Sequence, residues 1–289
     1  MKIVRPSISH LDTAGVNHAH ADILSMIEAT KQYLWLLGSV KGTPKVAERK
    51  FHGQAQLAAG MLAVYAASMF EGGASAFRIG VIMSPEQAYG PARWISWDNN
   101  NLELTTHGKF VRAQQFKVNG ELLDQFAAAS GFARAFKIFE SDQRTQLADA
   151  FTRGIYWYSD AHRDSVSVMR LIKYWSCVET FFSADTRDIT KAVSTGLASV
   201  LVFGGYSFVP VAEYSSLKKK IAKLYNLRSR AVHGAAYEHV SERDASDLSQ
   251  WVAWMLINMV TFVEHGYTKL AEIKEITDQL DSKFDAGEM

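Results

Sequence analysis

Near the C-terminal third of the chain, KKKIAKLYNLRSRAVHGAA (residues 218–236) carries a basic run that closes on Arg228, Ser229 and His233 and breaks at Gly234. An arginine and a histidine in one polar patch suit phosphate chemistry. The guanidinium stabilises a charged phosphorus centre and the imidazole moves protons. His233 precedes a glycine expected to end the helix, where the negative end of the macrodipole attracts a cation. Five residues of regular helix separate Arg228 and His233 by about 140°, so the two converge only if the last turn tightens or widens, or if two chains contribute.

A helix must position these groups, and its apolar spacing says which way they face. Over residues 212–233 the stripe Leu217, Ile221, Leu224 and Val232 has Arg228 in its middle. Over 164–182 (DSVSVMRLIKYWSCVETFF), Val168, Ile172, Trp175 and Phe182 form a second stripe, and Glu179 lies inside it. An unpaired buried charge costs several kcal/mol, so Glu179 and Arg228 are expected to meet or to line one polar cavity. A buried ion pair that only fixes helix register explains the same facts.

LYNLRSRAVHG resembles the signature of the HEPN superfamily, an Arg and a His a few residues apart with a polar residue, here Ser229, directly after the Arg. The ApeA-like branch is the most similar: it has a Tyr shortly before the Arg, an H-G ending, and an upstream helix like YWYSDAHRDSVSVMRLIKYWSCVETFF with a Glu at the position of Glu179. The resemblance covers roughly residues 145–265, and the first 140 match no motif. It implies a helical bundle that pairs as a homodimer or higher homo-oligomer, and a metal-independent endoribonuclease of antiphage defence or abortive infection. Carried over, His233 is the acid/base, Arg228 the phosphate stabiliser, Ser229 the polar residue and Glu179 the acidic residue of the preceding helix. The nucleophile is then the RNA 2′-OH, giving a 2′,3′-cyclic phosphate, with no cofactor and no metal. Lys218, Lys219, Lys220, Lys223 and Arg230 are placed to bind flanking phosphates, with Lys219, Lys220, Lys223 and Arg230 the assigned RNA contacts, although a solvated helix face is the default reading of such a run. A non-catalytic HEPN module binding nucleotide, RNA or a protein partner is the alternative.

The expected fold class is α+β and mostly helical. An N-terminal mixed α/β domain (1–140) has helices at 19–37 and 46–70 and a small four-stranded antiparallel meander built from AFRIGVIM, RWISW, LELTT and KFVRAQQF. A helical domain (141–289) follows. The first domain has no assigned role beyond sensing a trigger or regulatory ligand, or restraining the nuclease.

Other signals are weaker. In NHAHAD, His18 and His20 with Asp12 or Asp22 imitate a metal pair of barrel hydrolases, but TAGVN is a poor strand and the alternating strands and helices of that fold do not follow. Cys177, the single cysteine, sits among Trp175, Val178 and Phe181 and is expected to be a buried filler in a reducing cytoplasm. Trp94 and Trp97 are placed for core packing or a recognition surface. Ser241 and Asp244 read as a capping box. A formal charge of +1 and a 48% hydrophobic composition point to a soluble globular protein with no global attraction to polyanions. No apolar run reaches bilayer length, and MKIVRPSISH lacks a signal-peptide core, so neither membrane nor export is expected.

Overall fold

The structure is a computed structural model that describes residues 2–4, 24, 28, 35–69, 79–81, 92–98, 103–109, 132–141, 144–183, 187–234 and 240–288. The chain forms two compact units, residues 1–56 and 57–289. The expected boundary at 140–141 falls inside the second unit, between two of its helices.

In the first unit, β1 (Lys2–Val4) pairs antiparallel with β2 (Trp35–Leu37), Val4 opposite Trp35. A helix expected over 19–37 is therefore corrected at its end. Leu24 and Glu28 are helical but Trp35–Leu37 are extended. A three-residue apolar run carries no period of its own, so pairing with Ile3 and Val4 decides its conformation. Helix α1 (Pro44–Met69) begins with proline at its first position, where no amide hydrogen is needed. Between Leu57 and Ala67 it is buried almost all round. Gly60 lets it approach the next layer closely: a Cβ there would meet Ile155 Cγ2 at 2.8 Å.

The second unit carries a two-stranded ribbon, β3 (Ala92–Asp98) against β4 (Glu103–Lys109), with Ala92 opposite Lys109. The four-stranded meander is not seen. Ile79–Val81, expected in its first strand, pair with no strand. Instead the Ile79 amide donates to Nε2 of the buried His162 at 3.1 Å. Parts of the other expected strands, and the side chains of Trp94 and Trp97, lie outside the described residues.

The remaining elements are helical: α2 (Phe132–Glu140), α3 (Gln146–Arg163), α4 (Ser167–Phe182), α5 (Ile189–Phe203), a short 3-10 turn (Val211–Glu213), α6 (Tyr214–Gly234), α7 (Glu242–Glu264) and α8 (Leu270–Asp285). With α1 these are the eight helices whose bounds fall among the described residues, most of which are helical. Their starts are written locally. Thr145 Oγ1 caps α3 through the Ala148 amide, Asp188 caps α5 through Lys191, and Ser241 with Asp244 forms the expected capping box of α7.

Helices α3 and α4 form an antiparallel hairpin whose register is fixed by three contacts. Cys177 Sγ donates to the Gly154 carbonyl at 3.3 Å. The Tyr158 and Tyr174 rings lie 5.1 Å apart. Lys173 Nζ meets Asp160 at 2.8 Å. Cys177 is fully buried and burial pushes its thiol well above the usual range, which suits a filler. Trp175, Phe181 and Phe182 carry the same helix into the core. Phe182 packs on Gly196 of α5, where a Cβ would meet its ring at 2.3 Å. These contacts hold α4 still, and α4 presents Glu179 to α6.

Candidate functional site

Helix α6 contains six lysines and arginines and no aspartate or glutamate. Its cations fall into two sets that the sequence does not distinguish. Three are each held by a carboxylate from a different helix. Lys218 Nζ meets both oxygens of Asp281 on α8 at 2.5 and 2.7 Å. Lys220 Nζ meets Asp247 on α7 at 2.8 Å and lies 5.0 Å from the Trp251 ring. Arg228 Nη2 lies 3.2 Å from both carboxylate oxygens of Glu179 on α4.

Glu179 and Arg228 thus meet, as the two buried stripes required. The geometry adds a third member. Tyr225, one turn before Arg228, donates its hydroxyl to Glu179 Oε1 at 2.7 Å. Its ring lies 5.7 Å from the Arg228 guanidinium and 5.0 Å from Trp175, edge to face. Burial pushes Tyr225 up to about 12; the hydrogen bond to Glu179 and its charge add to this, and Arg228 opposes it. Glu179 and Arg228 keep only about a fifth of their side-chain surface exposed. Two buried donors here, Trp175 Nε1 and Arg228 Nε, meet no acceptor among the described residues. Sequence reasoning used Trp175 only as core and gave Tyr225 no role. The available signal was spacing, since Tyr225 and Arg228 are three apart and share the face that looks at Glu179.

The other cations face solvent. Lys219, Lys223 and Arg230 are exposed and make no ion pair among the described residues. On the helical wheel they fall within about 40° of one another, with Asn226 and His233 beside them and Arg228 roughly opposite. His233 is exposed in the last turn of α6 and makes no hydrogen bond among the described residues. Ser229 is half-buried and likewise makes none. The structure therefore brings Glu179 to Arg228, groups His233 with the outer cations, and leaves the 140° between Arg228 and His233 in place within one chain.

Three expectations are corrected. Val232, assigned to the buried stripe, is 44% exposed, and Ala231 takes its place at 0%. A seven-residue step drifts by about 20° on a straight helix, which moves the buried line from Leu224 to Ala231. Ile172, counted in the α4 stripe, is half-buried. Lys220, grouped with the outer lysines, is committed to Asp247 and Trp251.

Among the described residues no group of three or more His, Cys, Asp or Glu could hold a metal ion. Asp12, His18, His20 and Asp22 lie outside the described residues. A groove of about 730 Å³ along α8, floored by Phe181 and Phe182, contains none of the site residues. A cavity of about 230 Å³ between α5, α7 and α8 also contains none. No described helix is long and apolar enough to cross a membrane. No family model matches the chain, and no curated protein or solved structure matches it either.

Proposed function

We propose that the chain is a HEPN-type, metal-independent endoribonuclease of antiphage defence or abortive infection, working in the cytoplasm. The observation that supports this most is the Glu179–Arg228 pair. The resemblance rests on two segments far apart in sequence, and their matched residues meet through a carboxylate that Tyr225 also holds. In this reading Arg228 stabilises the charge that develops on phosphorus, and Glu179 and Tyr225 fix the guanidinium's orientation. His233 moves the proton of the 2′-OH as it attacks, or returns one to the leaving 5′-oxygen. Lys219, Lys223 and Arg230 hold the backbone on either side, and residues 1–140 sense a trigger or restrain the nuclease.

His233 and the inward Arg228 act on one phosphate only when two copies of the chain pool their residues or the last turn of α6 rearranges. A homodimer along α4 and α6 supplies the first. The same orientation favours a second reading, a non-catalytic HEPN module that binds nucleotide, RNA or a protein partner, because a paired arginine facing away from the histidine needs no chemistry.

The test is to incubate RNA with the protein in excess EDTA and identify the termini, with sedimentation to give the stoichiometry. Cleavage with 2′,3′-cyclic phosphate and 5′-hydroxyl ends, lost in folded Arg228→Ala and His233→Ala proteins, is expected. Full activity in folded His233→Ala moves the assignment to the binding module. Activity that chelator removes and added metal restores overturns the mechanism and reopens His18 and His20.

A further inference from the structure

Trp157 on α3 is 41% exposed, while Trp175 and Trp251 in the same bundle are buried. One turn earlier stands Arg153, also exposed. Neither makes a side-chain hydrogen bond, ion pair or ring contact among the described residues. The carboxylates on this face are already neutralised: Asp149 by Arg144 at 3.5 Å, and Asp160 by Lys173 at 2.8 Å. Among the described residues Arg153 therefore has no counter-ion, and it stands one turn from the exposed indole of Trp157.

The α3–α4 register places this pair relative to the site. Gly154 faces Cys177, Tyr158 faces Tyr174 and Asp160 faces Lys173, so Trp157 is level with Trp175, the residue before Ser176. On α4, Lys173, Ser176 and Glu179 follow at three-residue steps, each turning the wheel by about 60°. Lys173 reaches α3, Glu179 reaches α6, and half-buried Ser176 lies between them. One surface thus runs from Trp157 across Ser176 to the Glu179–Arg228 pair. Neighbouring helix axes stand about 8–10 Å apart, so the indole lies within a few nucleotides' reach of Arg228.

We propose that Trp157 is a stacking platform for an unpaired base of single-stranded RNA, with Arg153 holding the adjacent phosphate. This rests on the ribonuclease reading above and narrows its substrate to strands whose bases can splay out. Every base has a π-face, so the platform is tolerant of sequence, and a duplex with its bases stacked inside cannot use it.

The experiment measures binding of a short fluorescein-labelled 2′-O-methyl oligouridylate, which cannot be cleaved, by anisotropy. The probes are the same strand with abasic residues and a duplex of equal length. The unaltered protein is expected to prefer the base-bearing single strand, and Trp157→Ala to lose about ten-fold in affinity together with that preference. Trp157→Phe keeps a ring and should retain most of the affinity, which separates stacking from a folding defect. Equal affinity of Trp157→Ala and unaltered protein for the base-bearing strand overturns the platform while leaving the ribonuclease reading in place. Failure of the unaltered protein to bind any of the three probes overturns both.

Discussion

On the ribonuclease reading, the split of the α6 cations into held and free sets predicts how RNA binding responds to salt. Each phosphate neutralised on a single strand contributes about −0.7 to the slope of log K against log salt, so Lys219, Lys223 and Arg230 together contribute about −2. Across a fourfold rise in salt that amounts to a loss of about eighteen-fold in affinity from these three residues alone. Replacing all three by alanine should remove that share of the slope and leave unfolding unchanged, because none has a partner among the described residues to lose. Lys220→Ala should leave the slope as it was, since its ammonium is already held by Asp247 at 2.8 Å. The assay is anisotropy of a labelled oligonucleotide across a salt series. If Lys220→Ala flattens the slope as much as Lys223→Ala does, the division between held and free cations is wrong. If the triple variant keeps the full slope, α6 is not the contact surface.

Two further predictions concern the Glu179 cluster. Glu179→Ala strands the Tyr225 hydroxyl and the Arg228 guanidinium in a mostly buried place, and should cost about 2–3 kcal/mol in urea unfolding. A loss below about 0.5 kcal/mol would mean that the pair is no better than an exposed one. Tyr225 has its folded pKa raised to about 12 from an ordinary value of 10.0, so the neutral hydroxyl is favoured by folding. Its contribution should be fully present below pH 10.0 and fade as pH rises towards about 12. Stability measured against pH for the unaltered protein and Tyr225→Phe should therefore differ by a constant amount up to pH 10 and converge above it. A difference that stays flat through that window would sink the assignment.

Local pattern was enough for much of this molecule. The apolar stripes of α4 and α6 predict two helices with a charge of opposite sign on each buried face, and desolvation cost then demands that the charges meet. Ser241 and Asp244 define the start of α7 because capping is a contact between near neighbours. Each depends on interactions within a turn or on a penalty that no neighbour can remove.

Tertiary structure decided what depends on partners distant in the chain. Ile79–Val81 alternate like a strand, but the Ile79 amide goes to His162, and only the packed bundle puts an imidazole there. Trp35–Leu37 continue a helical period in sequence, yet they pair with Lys2–Val4. The six cations of α6 look alike along the chain. Which of them are spent on structure depends on where α4, α7 and α8 bring Glu179, Asp247 and Asp281, since each ion pair has its energy set by a carboxylate from another helix. Arg228 faces inward and His233 outward because one helix cannot turn both to the same side over five residues, a separation readable from the sequence; the bundle decided which of the two is held.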